Sequence, residues 1–211
     1  FVSNRPEFVF VLFAIQYLGA IAVPVGIREQ KPGLVYIMNQ CTAKAIVFDD
    51  ALQDRIPAFS DVASLAHRIA LDTTQHTDDV LSLHALRQGA PHAHLACATT
   101  NEFDTAVILY TSGTTGNPKG VVHTHNSLLN RAKAGADFDK LTSAEEVLAY
   151  LPPAWIGQNI FSYAQWLACG YVVNCPESAA TVTIDLKEVG PTYYFAPPRV
   201  FEGLLTSVMI R

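Results

Sequence analysis

Five apolar residues, Ala106-Val107-Ile108-Leu109-Tyr110, run directly into Thr111-Ser112-Gly113-Thr114-Thr115-Gly116-Asn117-Pro118-Lys119-Gly120, where ten residues hold three glycines, four hydroxyls and one lysine. The apolar run reads as a strand. Glycines let backbone N–H groups turn inward and approach an anion closely, hydroxyls add donors, and a lysine supplies a point charge for phosphate oxygens. The composition is that of a polyphosphate cradle. It is not a Walker A loop, which after Gly113 would place Gly, Lys and Ser or Thr where this chain has Pro118, Lys119 and Gly120. The competing reading is a Gly/Thr-rich surface turn between two strands; a lysine set behind the fixed φ of Pro118 counts against it.

Around this segment strands and helices alternate. Ser3-Asn4-Arg5-Pro6-Glu7 reads as N-cap, helix-compatible proline and first-turn acid of a helix over about Pro6 to Leu18, followed by a strand over Ala20 to Val25. A second helix opens at Pro32 and ends near Cys41, and Ala45-Ile46-Val47-Phe48 is a strand. Ile69-Ala70-Leu71 reads as a strand, Val80 to Arg87 as a short helix, and Gly89 to Thr100 as a loop. After the glycine-rich segment come strand 121–122, helix 126–136, strand 147–151, helix 159–168, strand 171–174, helix 181–189, strand 193–195 and helix 198–208. This rhythm predicts an α/β fold with a doubly wound, mainly parallel sheet and helices on both faces, its ligand at the carboxyl ends of the strands.

Phe8 to Ile27 is a run of twenty residues without a charge, long enough to raise a membrane span. Gln16, Gly19, Pro24 and Gly26 interrupt it and no basic cluster flanks it, so it reads as a soluble helix followed by a strand. With half of its 211 residues apolar and 16% charged, the chain can build a core and is not disordered. A formal charge of −5 gives no basic stripe for a nucleic acid. Cys41, Cys97, Cys169 and Cys175 show no CxxC pair and read as reduced, mostly buried thiols of a cytoplasmic protein. His92-x-His94 supplies two ligands at most, short of the four that structural zinc takes, and reads as a solvated loop.

The segment Tyr110-Thr-Ser-Gly-Thr-Thr-Gly-Asn-Pro-Lys-Gly120 resembles, over all eleven positions, the signature loop of the AMP-forming adenylating superfamily: acyl-CoA synthetases, firefly-type luciferases and nonribosomal peptide adenylation domains. Asn4-Arg5-Pro6-Glu7, Tyr17-Leu18-Gly19-Ala20, Pro24 and Ala43-Lys44-Ala45 also resemble the N-terminal domain of that superfamily. Trp155-Ile156-Gly157-Gln158 and the stretch from Cys175-Pro176-Glu177-Ser178 to Pro198-Arg199 look most like long-chain fatty acyl-CoA ligases.

The resemblance implies activation of a carboxylic acid by ATP to an acyl-adenylate, with release of pyrophosphate, then transfer to coenzyme A. Thr111, Ser112, Gly113, Thr114, Thr115, Gly116 and Lys119 would hold the β- and γ-phosphates, and Thr114 would contact Mg²⁺, an ion that takes few protein oxygens. Lys119 and Trp155 are the candidate catalytic residues. Trp155 falls where the family places an aromatic or His beside the acyl pocket; the plain alternative is a core tryptophan. His123 and His125 read as strand-end and helix-cap residues rather than bases, and Arg199 as a surface or pairing residue.

By the same resemblance, residues 1–211 are expected to be a partial AMP-binding N-terminal domain, cut at both ends and inactive alone. The family's Tyr-Gly-x-Thr-Glu motif, its ribose-binding Asp and its C-terminal domain do not occur in the sequence. Two other readings stand: an acyl-AMP ligase or amino-acid adenylation domain that uses a carrier protein, and a non-catalytic nucleotide-binding or scaffold protein. Peripheral membrane association is compatible with a fatty-acid enzyme, although no basic amphipathic helix supports it.

Overall fold

Pro6 stands where a helix's first N–H groups have no partner anyway, and it opens α1 (Pro6–Tyr17) with Glu7 in the first turn. The helix stops where Gly19 takes φ +69, with Leu18, Gly19 and Ala20 donating back to the carbonyls of Ala14, Gln16 and Ile15. A Cβ on Gly19 would also come within 2.9 Å of the Ala98 Cβ, so both conformation and contact call for glycine. At 12 residues α1 cannot span a bilayer. Among the described residues no helix is long and apolar enough to cross a membrane.

The computed structural model describes residues 1–89, 96–111 and 116–209. These fall into two compact units, Phe1–Leu128 with Pro152–Ile156, and Leu129–Leu151 with Gly157–Arg211.

In the first unit α2 (Lys31–Gln40) has Pro32 in its first turn and buries Leu34, Ile37 and Met38, the spacing of one helix face. Three parallel strands, β1 (Ala45–Phe48), β2 (His67–Ala70) and β3 (Leu81–Ser82), lie side by side in that order, with Ala45 beside His67 and Ile69 beside Leu81. Leu34, Met38, Ile46, Phe48, Val62 and Leu65 are among the buried residues of the core they share. The helix expected from Val80 begins later, as α3 (Leu83–Gly89), because Val80's neighbours Leu81 and Ser82 pair with β2. Ser82 then caps that helix, its Oγ accepting from the Ala85 N–H at 3.0 Å.

Arg5 ties the start of the chain to the ends of β1 and β2. Its guanidinium donates to both carboxylate oxygens of Asp72 at 2.7 and 3.0 Å, to Glu7 at 2.8 Å and to the nearly buried Asp49 at 3.4 Å. Arg5→Ala leaves Asp49 short of a cation and is expected to cost about 1–2 kcal/mol, mostly there, since the more exposed Asp72 is screened by water. Urea unfolding checks this; Arg5→Lys restores only part, for want of the planar fork. The ion pair with Arg5 also holds the Glu7 carboxyl below its ordinary value. Its contribution is therefore present above the ordinary carboxylate range and lost as pH falls through the lowered folded value.

β4 (Thr105–Thr111) and β5 (Lys119–Thr124) form an antiparallel hairpin. The strand expected over 20–25 shrinks to one parallel bridge, Ala22 to Val107, with Ala22 N–H donating to Ala106 at 3.1 Å and Ile108 N–H to Ala22 at 2.9 Å. Pro24 has no N–H to extend that ladder.

The second unit begins within α4 (His125–Asp139) and contains the parallel pair β6 (Glu146–Leu148) and β7 (Val172–Asn174). A continuous helical run follows β6: α5 (Ile156–Gln158), a π-helix (Asn159–Ala164) and α6 (Gln165–Cys169). Helices α7 (Val182–Val189) and α8 (Pro198–Met209) complete it. Tyr193-Tyr194-Phe195 is not the strand expected. Both Thr192 and Tyr193 N–H groups donate to the single Glu146 carbonyl, and the rings take over: Tyr194 stacks on Tyr150 and Phe195 on Phe161. The α/β class with mainly parallel pairing is the architecture observed. The cysteines depart from expectation, since Cys97 is exposed and the other three are half-buried rather than in the core.

Candidate active site

The antiparallel register sets Thr111 opposite Lys119, Tyr110 opposite Gly120 and Leu109 opposite Val121. The connection between the strands, 112–118, therefore closes on a mouth formed by Thr111 and Lys119, both exposed. Ser112, Gly113, Thr114 and Thr115 lie outside the described residues, as do His92 and His94. Gly116 takes φ +123, a conformation that side chains rarely adopt, and Pro118 fixes the backbone just before Lys119. Among the described residues the Lys119 ammonium has no carboxylate within salt-bridge distance.

Gly120 belongs to β5 rather than to the loop. A Cβ there would meet Ile108 Cγ2 at 2.9 Å and the Tyr110 ring at 3.2 Å. The bare backbone of Gly120 thus lets Tyr110 lie across the hairpin beside the mouth, and burial pushes the phenol above its ordinary value, keeping it neutral. Gly120→Ala is expected to cost about 1–2 kcal/mol through this crowding. Denaturant titration checks it. The Tyr110–Gly120 contact escaped the sequence, although the placing of Tyr and Gly at the two ends of the segment was its signal.

His123 sits near the end of β5 opposite Val107, with burial lowering its ring below the ordinary value. His125 opens α4, its N–H donating to the Asp104 carbonyl at 3.2 Å, while Thr124 Oγ1 caps the Ser127 N–H at 3.1 Å. His123 holds the strand-end position read from the sequence, whereas His125 is the first residue of α4 and the capping side chain is Thr124. Arg199 is an exposed residue in the first turn of α8.

Trp155 is 46% exposed, which removes the core-tryptophan reading. It ends a turn in which its N–H donates to the Pro152 carbonyl at 2.9 Å, just before α5. Among the described residues no group of three His, Cys, Asp or Glu side chains could hold a metal ion. The buried polar residues Gln158, Asn159, Ser162 and Gln165 were missed. Their spacing along an otherwise apolar helix was the available signal.

Over 228 residues the chain is 37% identical to a long-chain-fatty-acid–[acyl-carrier-protein] ligase, AEE15, of Arabidopsis thaliana, covering 99% of this chain and 31% of that protein. It is 30% identical to 4-hydroxybutyrate–CoA ligase 2 of Metallosphaera sedula, covering 64% of this chain and 26% of the relative. The chain thus spans about a third or less of the length of these curated relatives. A crystal structure of a long-chain-fatty-acid-CoA ligase from Archaeoglobus fulgidus has the same fold, with a TM-score of 0.85 at 20% identity, over all of this chain and 41% of that one. The family model described as AMP-binding enzyme matches residues 1–210, and the chain belongs to that family.

Proposed function

We propose that this chain carries the phosphate-binding part of an enzyme that activates a carboxylic acid with ATP, forming an acyl-adenylate and releasing pyrophosphate. The observation that supports this most is the exposed Lys119, with no carboxylate partner among the described residues, set opposite Thr111 across a glycine-rich connection. The donors fit the chemistry. Displacement at the α-phosphate needs charge neutralised on the departing pyrophosphate and the carboxylate held in line, more than any protein nucleophile. Lys119 would neutralise that charge, Thr111, Ser112, Gly113, Thr114, Thr115 and Gly116 would donate to the β- and γ-phosphates, and Trp155 would stand beside the acid. Thr114 would offer its hydroxyl to Mg²⁺, an ion that takes few protein oxygens and would supply positive charge to the phosphates.

The acid we favour is a long-chain fatty acid and the acceptor coenzyme A. A carrier protein as acceptor is the second reading, favoured by the 37% identity to an acyl-carrier-protein ligase. The four cysteines stand as thiols, which suits a reducing, cytoplasmic setting. The test is acid-dependent exchange of labelled pyrophosphate into ATP by the full-length protein, across fatty, aromatic, hydroxy and amino acids, followed by thioester formation with coenzyme A or carrier protein. Exchange with long fatty acids and thioester formation on coenzyme A are expected. A folded, ATP-binding protein that exchanges with none of these acids would overturn the proposal and leave a nucleotide clamp without chemistry.

A further inference from the structure

Successive residues of a strand stand on opposite faces, and residues paired directly across a ladder share one. In the hairpin of β4 and β5 this separates the last two pairs before the mouth. Thr111 and Lys119 stand on the face of the buried Val107 and Leu109, whereas Tyr110 and Gly120 stand on the other, beside Ile108. Tyr110 therefore backs the lysine from behind the sheet.

Gly120 brings no side chain to its face, and the space is filled from the partner strand. A Cβ there would lie 2.9 Å from Ile108 Cγ2, 3.2 Å from Tyr110 Cζ and 3.4 Å from the Tyr110 hydroxyl oxygen. Cζ and the hydroxyl are the end of the side chain farthest from its own backbone, so the ring reaches across to lie over β5. Glycine inside a strand weakens it, through lost packing and greater chain freedom. A cross-strand aromatic restores the missing cover. Among the described residues the Tyr110 hydroxyl makes no hydrogen bond, so the ring carries the contact.

Lys119 is the first residue of β5, its pair with Thr111 is the last of the ladder, and its ammonium has no ion pair among the described residues. Such ends fray first. The pair next to it is what holds the lysine's backbone, and that is the pair the ring covers. A cation held in place beforehand stabilises developing charge better than one that must be ordered during the reaction.

We propose that Tyr110 is a positioning residue for Lys119: its ring, laid over the bare backbone of Gly120, keeps the end of the ladder closed and so holds the ammonium ready for phosphates on the opposite face of the hairpin. The effect on the ladder rests on the hairpin alone; the effect on the reaction rests on the proposed function.

The experiment uses the full-length protein and two readouts. Amide hydrogen exchange over residues 105–111 and 119–124, read by mass spectrometry, reports the ladder whatever the activity, and acid-dependent pyrophosphate exchange reports the reaction. Tyr110→Leu is expected to speed amide exchange there about tenfold. It should also slow pyrophosphate exchange about tenfold, in the rate more than in the Michaelis constant for ATP. Tyr110→Phe keeps the ring and should restore both readouts to within about twofold of the parent. In a Lys119→Ala background Tyr110→Leu should change the rate by less than about twofold, because the lysine it acts through is gone. A ring needed only for folding would cost the same in both backgrounds. Gly120→Ala crowds the ring from the other strand and must act in the same direction as Tyr110→Leu, which keeps the test open if that variant fails to fold. Amide exchange unchanged in Tyr110→Leu, Tyr110→Phe as impaired as Tyr110→Leu, or an equal loss of rate with and without Lys119 would overturn the proposal while the parent still exchanges pyrophosphate. A parent that exchanges with no acid would overturn the proposed function, and the positioning role with it.

Discussion

On the proposed function, replacing Lys119 by alanine in the full-length protein is expected to slow acid-dependent pyrophosphate exchange by about 10²–10³, while the urea midpoint stays where it was, within about 0.5 kcal/mol. The two halves of this expectation have separate causes. Lys119 is exposed and makes no described ion pair, so little of the fold depends on its side chain. Its place is opposite Thr111, at the closing end of the connection, and the proposed function has the departing pyrophosphate develop its charge there. A cation already held there by Pro118 and the strand ladder needs little reorganisation as charge moves, which is why such groups stabilise a transition state more than they stabilise bound ATP. The loss is accordingly expected mainly in the rate and less in the Michaelis constant for ATP. Lys119→Arg keeps the charge but exchanges a point for a planar fork, and recovery should be partial. Unchanged exchange in Lys119→Ala would remove the lysine from the chemistry.

The strand, glycine-rich connection and second strand around Lys119 were legible in the sequence because glycine, hydroxyl and proline chemistry acts over a few residues, although the second strand starts at Lys119 rather than at 121 and pairs antiparallel. Its direction was legible in principle as well: a connection of seven residues, 112–118, is too short for a parallel crossover and long enough for a hairpin. Helix α1 was read nearly to the residue, since Pro6, Glu7 and Gly19 punctuate it locally. What failed depended on distant partners. Residues 20–25 have the composition of a strand, but only Ala22 finds a ladder position and Pro24 ends it. Tyr193-Tyr194-Phe195 has strand propensity, but Tyr150 and Phe161 offer ring stacking and Glu146 a shared acceptor. Propensity measures how well a residue fits a pleated surface, and no such surface reaches these three residues. The π winding of 159–164 was invisible for the same reason, since it is set by Tyr163 and Tyr171 meeting atoms on other turns.

The second large effect lies in the first unit's core. Phe48→Ala is expected to lower stability by about 3–5 kcal/mol, the range for emptying a fully buried aromatic site. Phe48 ends β1 with no exposed surface, within the cluster that includes Leu34, Met38, Val62 and Leu65. Its carbonyl accepts from Leu71 at 3.2 Å, and the next residue, Asp49, receives Arg5 and the Ser3 N–H. The side chain therefore fills the core where two parallel strands and the start of the chain are fastened, and the backbone bonds on either side resist the collapse that would refill the cavity. Domain stabilities run to about 5–15 kcal/mol, so the variant should stay folded in the cold and melt well below its parent. Its exchange activity per folded molecule should match the parent at low temperature, because Phe48 lies on a different sheet from Thr111 and Lys119. Lys119→Ala and Phe48→Ala thus predict opposite pairs of results: rate lost with stability kept, and stability lost with rate kept. A Phe48→Ala protein that is folded by circular dichroism yet exchanges as slowly as Lys119→Ala would show that the β1–β3 core sets the geometry of the hairpin mouth, and the separation of scaffold from site argued from Gly120, Tyr110 and Lys119 would be wrong.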